Sequence, residues 1–256
     1  MKKVLVTGAN GQVGQCLQTI QEEHPLIAFT FASSKDLDIT NPSQIEKSFK
    51  EGQFDYCINL AAYTAVDRAE DEKETAYQIN AEAVKSLAEY CQQFNVILVH
   101  LSTDFVFDGL KTTPYLISDQ PNPINIYGDS KLKGEQYIQA CLSTYYIIRT
   151  SWVYSDFGQN FKKTMLRLAE SQKQINVVND QIGCPTHALD LVRYILSLIL
   201  TEQSYGLYHF SGEKICTWYD FAVDIFKANH IEVQVNPIST GAYPTKAVRP
   251  KYSVLR

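Results

Sequence analysis

A short β-branched run near the start of the chain leads into a glycine-rich turn, and an amphipathic pattern follows the turn. Residues 3–7 form the run, Gly8, Gly11 and Gly14 mark the turn, and residues 12–23 are predicted to form a helix. This order is typical of a dinucleotide-binding unit, because the glycines let backbone N–H groups and the helix N-terminus approach a pyrophosphate. The spacing is Gly-x-x-Gly-x-x-Gly and not Gly-x-Gly-x-x-Gly, so a turn with incidental glycines remains the alternative.

The same alternation of strands and helices continues through the first half of the chain. Further apolar runs at residues 27–32, 56–60, 96–101 and 145–150 are predicted strands. Alternating units of this kind predict an α/β fold with a Rossmann-type doubly wound parallel sheet. We assign this NAD(P)-binding domain to residues 1–150.

After residue 150 the predicted strands are shorter, and no clean linker separates them from what precedes. We expect residues 151–256 to form a small C-terminal α/β substrate-binding lobe that is interleaved with the first domain and not independent of it. The elements predicted there are helices at 162–171, 188–200 and 217–228, a strand and turn at 176–186, and a strand at 208–212.

Composition excludes several classes of protein. With 256 residues, a net charge of -5 and no basic block, the chain gives no electrostatic case for nucleic acid. No apolar run reaches bilayer length, so we expect no membrane association and a cytoplasmic location. The six cysteines show neither Cys-x-x-Cys spacing nor a disulfide pattern, and neither they nor the histidines indicate a metal site.

Tyr127 and Lys131 are four residues apart at the start of a predicted helix, so both side chains should lie on one helical face. A lysine ammonium beneath a phenol can lower the phenol's pKa and make it a usable general acid. The alternative is a solvated helix surface. Ser102, Thr103 and Asp104 end the preceding strand and could hydrogen-bond a substrate carbonyl, or cap the turn that follows.

The segment after the second strand bears on the choice of cofactor. In a dinucleotide fold an acidic residue at this point favours a free ribose 2′-hydroxyl, whereas this chain has Ser33, Ser34 and Lys35. Two hydroxyls and an ammonium would suit a 2′-phosphate, so NADP(H) is favoured and NAD(H) remains possible. After the third strand, the small residues Ala61 and Ala62 would let a flat cofactor lie close.

Five segments together carry a resemblance to a known family. They are Ala-Tyr-Thr-Ala-Val-Asp at 62–67, Ser-Thr-Asp-Phe-Val-Phe-Asp-Gly at 102–109, Arg-Thr-Ser-Trp-Val-Tyr at 149–154, Asp-Gln-Ile-Gly-Cys-Pro-Thr at 180–186 and Arg-Pro-Lys-Tyr-Ser at 249–253. With the glycine turn and the Tyr-x-x-x-Lys pair, the chain resembles the extended short-chain dehydrogenase/reductase superfamily, and within it the dTDP-4-dehydrorhamnose reductases. The resemblance covers nearly the whole chain and implies reduction of a dTDP-4-keto-sugar at C4 in dTDP-rhamnose biosynthesis.

The resemblance also implies roles for individual residues. Tyr127 would protonate the C4 oxygen, Thr103 would hydrogen-bond it, and Lys131 would hold the nicotinamide ribose and lower the pKa of Tyr127. The implied cofactor-binding residues are Gly8, Asn10, Gly11, Gln12, Val13, Gly14, Ser33, Asp38, Ile39, Ala61, Ala62, Tyr63, Asn80, Tyr127 and Lys131. The implied substrate-binding residues are Thr64, Val66, Thr103, Asp104, Phe105, Tyr127, Trp152, Asn160, Phe161 and Arg249.

Two features depart from the family pattern. Some members bind Mg²⁺ through glutamates at a dimer contact, where this chain has Gln15-Cys16 and Ala188-Leu189. We therefore expect no metal, and a monomer or a weak homodimer. The sequence also stops at Arg256, where relatives usually continue through another helix, so either the chain is a short variant or residues are missing from it.

Two other functions remain open. A nucleotide-sugar epimerase or dehydratase would use the same Tyr/Lys pair, although dehydratases usually have Asp-Glu after the threonine and this chain has Asp104-Phe105. The second alternative is a non-catalytic, NADP-binding regulatory subunit of the methionine adenosyltransferase type. Such a subunit need not keep Thr103, Tyr127 and Lys131 together, so their joint presence favours the enzyme.

Overall fold

The computed structural model describes residues 1–256, in which strands and helices alternate. The strands are β1 (Lys2–Thr7), β2 (Ile27–Ala32), β3 (Tyr56–Asn59), β4 (Ile97–Thr103), β5 (Tyr145–Thr150), β6 (Val153–Tyr154), β7 (Gln174–Val178), β8 (Ile182–Gly183), β9 (Thr186–His187), β10 (Gly206–His209), β11 (Cys216–Thr217) and β12 (Gln234–Ile238). The α-helices are α1 (Gln12–Thr19), α2 (Pro42–Gly52), α3 (Val66–Ala69), α4 (Lys73–Tyr77), α5 (Ala83–Phe94), α6 (Ile126–Cys141), α7 (Phe161–Ala169), α8 (Ala188–Leu200) and α9 (Trp218–Ala228). A π-helical stretch (Gln78–Glu82) joins α4 to α5.

A six-stranded sheet in the order β10-β5-β4-β3-β1-β2 forms the centre of the molecule. All of its pairings are parallel, with Thr7 of β1 opposite Asn59 of β3 and Thr103 of β4 opposite Thr150 of β5. The strand order reverses between β1 and β3, and in open α/β sheets the crevice at such a switch point is where ligands bind. The predicted Rossmann-type doubly wound sheet is confirmed.

Helices cover both faces of the sheet, and successive side chains of each strand point to opposite faces. Val4 and Val6 of β1 join a core with α1 and α8, whereas Leu5 joins a second core with α2, α5 and α6. Ile147 and Ile148 of β5 divide between the two cores in the same way. This explains why the strands are almost uninterrupted apolar runs.

The chain leaves the central sheet after β5 and later returns to it. Residues beyond β5 supply α8, which packs on one face of the sheet, and β10, which pairs with β5 at the edge. The remaining elements form a smaller body around the buried residues Met165, Ile175, Val177 and Phe221. Parallel pairing of β7 with β12 supports this body, and β12 is a strand that the sequence pattern did not predict.

A long loop between β4 and α6, predicted from its glycines and prolines, is held by the last residues of the chain. Tyr115 donates its backbone N–H to the Val254 carbonyl at 2.8 Å, and Arg256 donates its own to the Tyr115 carbonyl at 2.9 Å. Tyr115 also stacks on Phe107 with ring centroids 4.2 Å apart. The middle of the loop is therefore fixed to the end of the chain and to Phe107, near the end of β4.

None of the helices combines the length and the apolar character needed to cross a bilayer.

Candidate active site

A cleft of about 710 Å³ opens at the carboxyl ends of the central strands. The glycine turn after β1 forms one wall, the ends of β4 and β5 form its floor, and the start of α6 forms the opposite wall. Sixteen of the residues singled out from the sequence line it: Gly8, Gly11, Gln12, Val13, Gly14, Ala62, Thr64, Val66, Thr103, Asp104, Phe105, Tyr127, Lys131, Trp152, Phe161 and Arg249.

The remaining predicted residues lie outside the lining of this cleft. Ile39 is buried in the core, and Asp38 accepts hydrogen bonds from the backbone and hydroxyl of Thr40. Asn10 is exposed, and Ala61 packs against the glycine turn. The other four, Ser33, Tyr63, Asn80 and Asn160, make the hydrogen bonds described below.

Asn80 ties the segment after β3 to α6. Its Oδ1 accepts from the backbone N–H of Tyr63 at 2.9 Å, and its Nδ2 donates to the Tyr63 carbonyl and to the Ser130 hydroxyl, each at 3.0 Å. The Tyr63 phenol donates to Glu72 at 2.8 Å. Asn80 and Tyr63 thus shape the wall beside the cleft.

Ser33, chosen from the sequence as a candidate phosphate contact, makes its bonds within its own turn. Its hydroxyl donates to Asp36 Oδ2 at 2.6 Å, and its backbone N–H donates to the same oxygen at 2.9 Å. The pKa of Asp36 is lowered by these two bonds. The turn therefore carries a carboxylate beside Lys35, which the sequence argument for a 2′-phosphate did not consider.

Asn160 caps α7, where its Oδ1 accepts from the backbone N–H of Lys163 at 3.1 Å. Its Nδ2 donates to the Ser155 carbonyl at 2.8 Å and lies 3.3 Å from Gln12 Oε1. Gln12 in turn donates to the Val153 carbonyl at 3.1 Å. These bonds hold the glycine turn against the smaller body.

The glycine turn needs a residue without a side chain at Gly8. Its φ is +64°, and a Cβ at this position would lie 2.6 Å from the Ala61 backbone nitrogen. The turn therefore packs directly on the end of β3. Helix α1 then begins with Gly11 as its N-cap and has no side-chain cap, so its first N–H groups are free to meet an anion.

Tyr127 lies at the start of α6, which Asn125 caps by accepting a hydrogen bond from the Gly128 N–H at 2.8 Å. Its ring meets the Phe105 ring edge-on at 5.6 Å. Burial raises the pKa of Tyr127 to about 12; the Thr103 hydroxyl lowers it and the Asp104 carboxylate raises it. The phenol therefore carries its proton at neutral pH.

Lys131 follows one turn later and is buried. Its Nζ donates to the Leu101 carbonyl at 2.6 Å and lies 3.2 Å from His100 Nε2. Burial lowers the pKa of Lys131 to about 8, with Glu135 acting in the opposite direction.

The expected effect of Lys131 on the pKa of Tyr127 is absent from this structure. Thr103 and Asp104 are the groups that affect the pKa of Tyr127, and burial raises it. The physical reason is the direction of the lysine side chain, whose amino group points to β4 and not to the phenol.

Thr103 caps the turn that follows β4, and its hydrogen bond to a substrate carbonyl stays a prediction. It lines the cleft, and its hydroxyl accepts from the Phe105 N–H and donates to Asp104 Oδ1, each at 3.1 Å. Burial raises the pKa of Asp104 to about 6, although hydrogen bonds from Ser253 and Thr103 oppose the shift. With this pKa, Asp104 is still mainly a carboxylate at pH 7, close to Tyr127.

Below the cleft, Ser102 donates to Glu135, and Glu135 pairs with Arg149. Arg149 Nη2 lies 2.6 Å from Glu135 Oε2, and both side chains are almost completely buried. This pair joins α6 to β5 beneath the catalytic candidates.

A smaller cavity of about 300 Å³ adjoins the cleft within the C-terminal body. The indoles of Trp152 and Trp218 stack there with centroids 3.4 Å apart and planes within 7°. Trp152 has a positive φ of 47°, and a Cβ on Gly183 would lie 2.5 Å from its indole. The residues shared by the two cavities are Phe105, Trp152, Phe161, Trp218 and Arg249.

Arg249 forms a two-pronged ion pair with Asp67, with Nη1–Oδ1 at 2.8 Å and Nη2–Oδ2 at 2.6 Å. The hydrogen bond from Arg249 lowers the pKa of Asp67. The guanidinium is thereby oriented at the junction of the two cavities.

Sequence reasoning missed Trp218, because a tryptophan that opens a distant helix carries no signal that it faces Trp152. It also missed the buried polar residues Thr7, Asn59 and His100, which form a line of contacts that ends at Lys131. No three His, Cys, Asp or Glu side chains are placed to hold a metal ion.

Comparison with known proteins identifies the family. A family model described as the RmlD substrate binding domain matches residues 1–256. The chain is 41% identical over 257 residues to the spore coat polysaccharide biosynthesis protein SpsK of Bacillus subtilis, covering 100% of this chain and 89% of that protein. It is 39% identical over 264 residues to the dTDP-4-dehydrorhamnose reductase of Escherichia coli K12, covering 98% and 88%.

A solved structure is similar over the same extent. It is the dTDP-4-dehydrorhamnose reductase of Bacillus anthracis in complex with NADP, with a TM-score of 0.96, 44% identity and coverage of 100% of this chain and 91% of that one. The whole chain therefore belongs to the family of the RmlD substrate binding domain and to that of the dTDP-4-dehydrorhamnose reductases.

Proposed function

We propose that this protein reduces the C4 carbonyl of dTDP-4-dehydro-L-rhamnose, giving dTDP-L-rhamnose in dTDP-rhamnose biosynthesis. The observation that carries the proposal is one cleft in which Thr103, Tyr127 and Lys131 face the glycine turn. The names of the relatives support the same reaction.

The nicotinamide cofactor would supply the hydride that reaches the sugar C4. Tyr127 would give its phenolic proton to the C4 oxygen, so that one hydride and one proton together convert the carbonyl to an alcohol. Thr103 would donate a hydrogen bond to the same oxygen as negative charge develops on it. A phenol that is fully protonated at neutral pH suits this direction of reaction.

The glycine turn and the uncapped start of α1 would hold the cofactor pyrophosphate, with Lys131 on the nicotinamide ribose. NADP(H) is our favoured cofactor, supported by the NADP complex of the Bacillus anthracis relative. NAD(H) remains the alternative, and the Asp36 carboxylate favours it.

The smaller aromatic cavity would take the nucleotide of the substrate. A flat pyrimidine ring suits the indoles of Trp152 and Trp218, while Arg249 at the junction would meet the diphosphate. The sugar would then reach Thr103 and Tyr127 in the cleft. The other proposed substrate contacts are Thr64, Val66, Asp104, Phe105, Asn160 and Phe161.

The test of this function is oxidation of NADPH by purified protein in the presence of dTDP-4-dehydro-L-rhamnose, repeated with NADH. We expect substrate-dependent oxidation, faster with NADPH. Tight NADPH binding without oxidation would contradict the reductase and would favour another keto-sugar or the regulatory-subunit function.

Replacing Lys131 by alanine is expected to weaken NADPH binding as well as turnover, because the side chain would contact the cofactor ribose. Cofactor affinity is measured by titration of nucleotide fluorescence, and turnover by NADPH oxidation. Lys133→Ala, on the same helix, is the matched control and should change neither. An effect of Lys131→Ala on turnover alone would contradict the ribose contact.

Activity is expected to survive EDTA, since the resemblance places Cys16 and Leu189 near the positions at which some members have metal-binding glutamates. The measurement is the rate of NADPH oxidation before and after chelation and dialysis. Loss of activity that added Mg²⁺ restores would show that a metal is needed.

We also propose a monomer or weak homodimer in the cytoplasm, with residues 1–150 and 151–256 as its two interleaved parts. None of the six cysteines is paired, which suits a reducing compartment. Light scattering across a concentration series tests the assembly, and cell fractionation tests the location.

A further inference from the structure

A line of buried polar side chains runs beneath the cleft from β1 to α6. Thr7 Oγ1 donates to Asn59 Oδ1 at 2.6 Å, Asn59 Nδ2 lies 3.0 Å from His100 Nδ1, and His100 Nε2 lies 3.2 Å from Lys131 Nζ. The four side chains are 0–2% exposed. Three neighbouring strands thus each supply one member, and the line ends on Lys131.

This array does not lead to solvent. Its far end, Thr7, is fully buried, so the array cannot carry protons from bulk water to the cleft. Buried polar groups without a partner are costly. The sheet is held by backbone hydrogen bonds and does not require these three polar side chains, so they need another explanation. Its single point of contact with the proposed chemistry is the amino group of Lys131.

The positions of the hydrogens in the array determine which charge state of Lys131 it can accommodate. With Asn59 Nδ2 towards the ring, His100 Nδ1 must accept, so the hydrogen of a neutral imidazole sits on Nε2. That hydrogen then meets Lys131 Nζ, which can accept it only as an uncharged amine. The amine keeps hydrogens for the Leu101 carbonyl, 2.6 Å away.

The opposite arrangement uses the same heavy-atom positions. If the Asn59 amide is rotated by half a turn, its Oδ1 accepts from His100 Nδ1–H and its Nδ2 donates to Thr7. His100 Nε2 is then free to accept from a Lys131 ammonium. His100 stays neutral in both arrangements, because burial keeps its pKa well below the ordinary value, and a charged Lys131 lowers it further.

We propose that His100 is a positioning residue for Lys131, and that with Asn59 and Thr7 it gives the buried amino group a hydrogen-bond partner in both of its charge states. At equilibrium the ring hydrogen of His100 is on Nδ1 while Lys131 is charged, and on Nε2, with the Asn59 amide rotated, once Lys131 has lost a proton; the ring exchanges its hydrogen with water during local opening of the structure. No other group changes its number of protons. The buried amino group of Lys131 therefore keeps a hydrogen-bond partner in both charge states.

The groups that act on Lys131 come from every element around it. His100 and the Leu101 carbonyl face it from β4, and Glu135 lies one turn further along α6, where it is paired with Arg149 of β5. Tyr127 precedes it by one turn. Glu135 favours the ammonium and burial favours the amine, so the pKa of Lys131, at about 8, allows both states near neutral pH.

The first test observes His100 directly and needs no substrate. The protein is labelled with ring-¹⁵N histidine, and the two ring nitrogens are followed by long-range ¹H–¹⁵N NMR from about pH 6 to pH 10, a range that spans the lysine titration. His100→Gln identifies the resonances. We expect a neutral ring that changes from the Nδ1–H to the Nε2–H tautomer, and one fixed tautomer throughout in Lys131→Met. A single tautomer at all pH values in the wild type would overturn the proposal.

The second test separates positioning from simple structural support, and it rests on the proposed function. In His100→Phe the ammonium loses its acceptor, so the alkaline limb of kcat should move to lower pH by roughly one pH unit, while the KM for substrate stays unchanged. His100→Gln should return the alkaline limb of kcat to its wild-type pH, because the glutamine amide can turn either its oxygen or its nitrogen towards Lys131. An unmoved limb in His100→Phe would contradict the proposal.

A half-buried histidine elsewhere provides the control. His209 belongs to β10, packs against Phe107 and lies away from the array. His209→Gln should therefore leave the His100 tautomers and the alkaline limb of kcat unchanged. If the protein has no keto-sugar reductase activity, the proposed function fails but the NMR result still decides the array. If reduction occurs with a single His100 tautomer, only the array fails.

Discussion

Replacing Tyr127 by phenylalanine is expected to lower kcat by roughly 10²–10⁴-fold, the usual contribution of a general acid, while NADPH affinity stays close to wild type. The change removes one oxygen from a ring that packs edge-on against Phe105, so the fold of the cleft should persist. Turnover is measured by NADPH oxidation at saturating substrate, and affinity by cofactor titration.

Tyr137→Phe is the matched control, because it makes the same chemical change on the same helix. Its phenol is bound to Glu82 on the protein surface and points away from the cleft. Its kcat should equal that of the wild type. Equal turnover in Tyr127→Phe and Tyr137→Phe would remove Tyr127 from the reaction.

Replacing Arg149 by methionine is expected to lower the free energy of unfolding by about 3–5 kcal/mol, the cost of leaving a buried charge without its partner. The charge is that of Glu135, which lies beneath the cleft and is only 1% exposed. Denaturant unfolding measures the loss. The double variant Glu135→Leu/Arg149→Met should recover most of it, since neither charge then remains.

The exposed ion pair between Arg68 and Glu72 supplies the control for this experiment. It has a similar separation of 2.6 Å, but its arginine is 71% exposed. Solvent screens such pairs, so Arg68→Met should leave stability almost unchanged. A loss in Arg149→Met no larger than that in Arg68→Met would contradict the importance of burial here.

The sequence could predict the elements whose signal is local. Continuous apolar runs such as residues 145–150 mark strands that are covered on both faces, and the glycines around Gly8 mark a turn that packs on its neighbour. The spacing of Tyr127 and Lys131 predicted that they share one face of a helix, and both line the cleft.

The parts that could not be predicted depend on contacts between distant segments. The amino group of Lys131 points towards Leu101 because of where β4 lies under α6, and no spacing along the chain contains that direction. Trp218 reaches Trp152 only through the folding of the C-terminal body. Ser33 is a different case, because its hydroxyl is bound by Asp36 within the same turn, and residue types alone do not show that the two side chains meet.

The return of α8 and β10 to the central sheet determines how the molecule can come apart. A fragment ending at residue 150 would expose Val4, Val6 and Ile148, because α8 covers this face of the sheet, and would leave β5 as an open edge. We expect such a fragment to aggregate, and the whole chain to unfold in a single cooperative transition. We therefore expect residues 1–150 and 151–256 to be inseparable in stability, so that neither part could be transplanted alone into another protein.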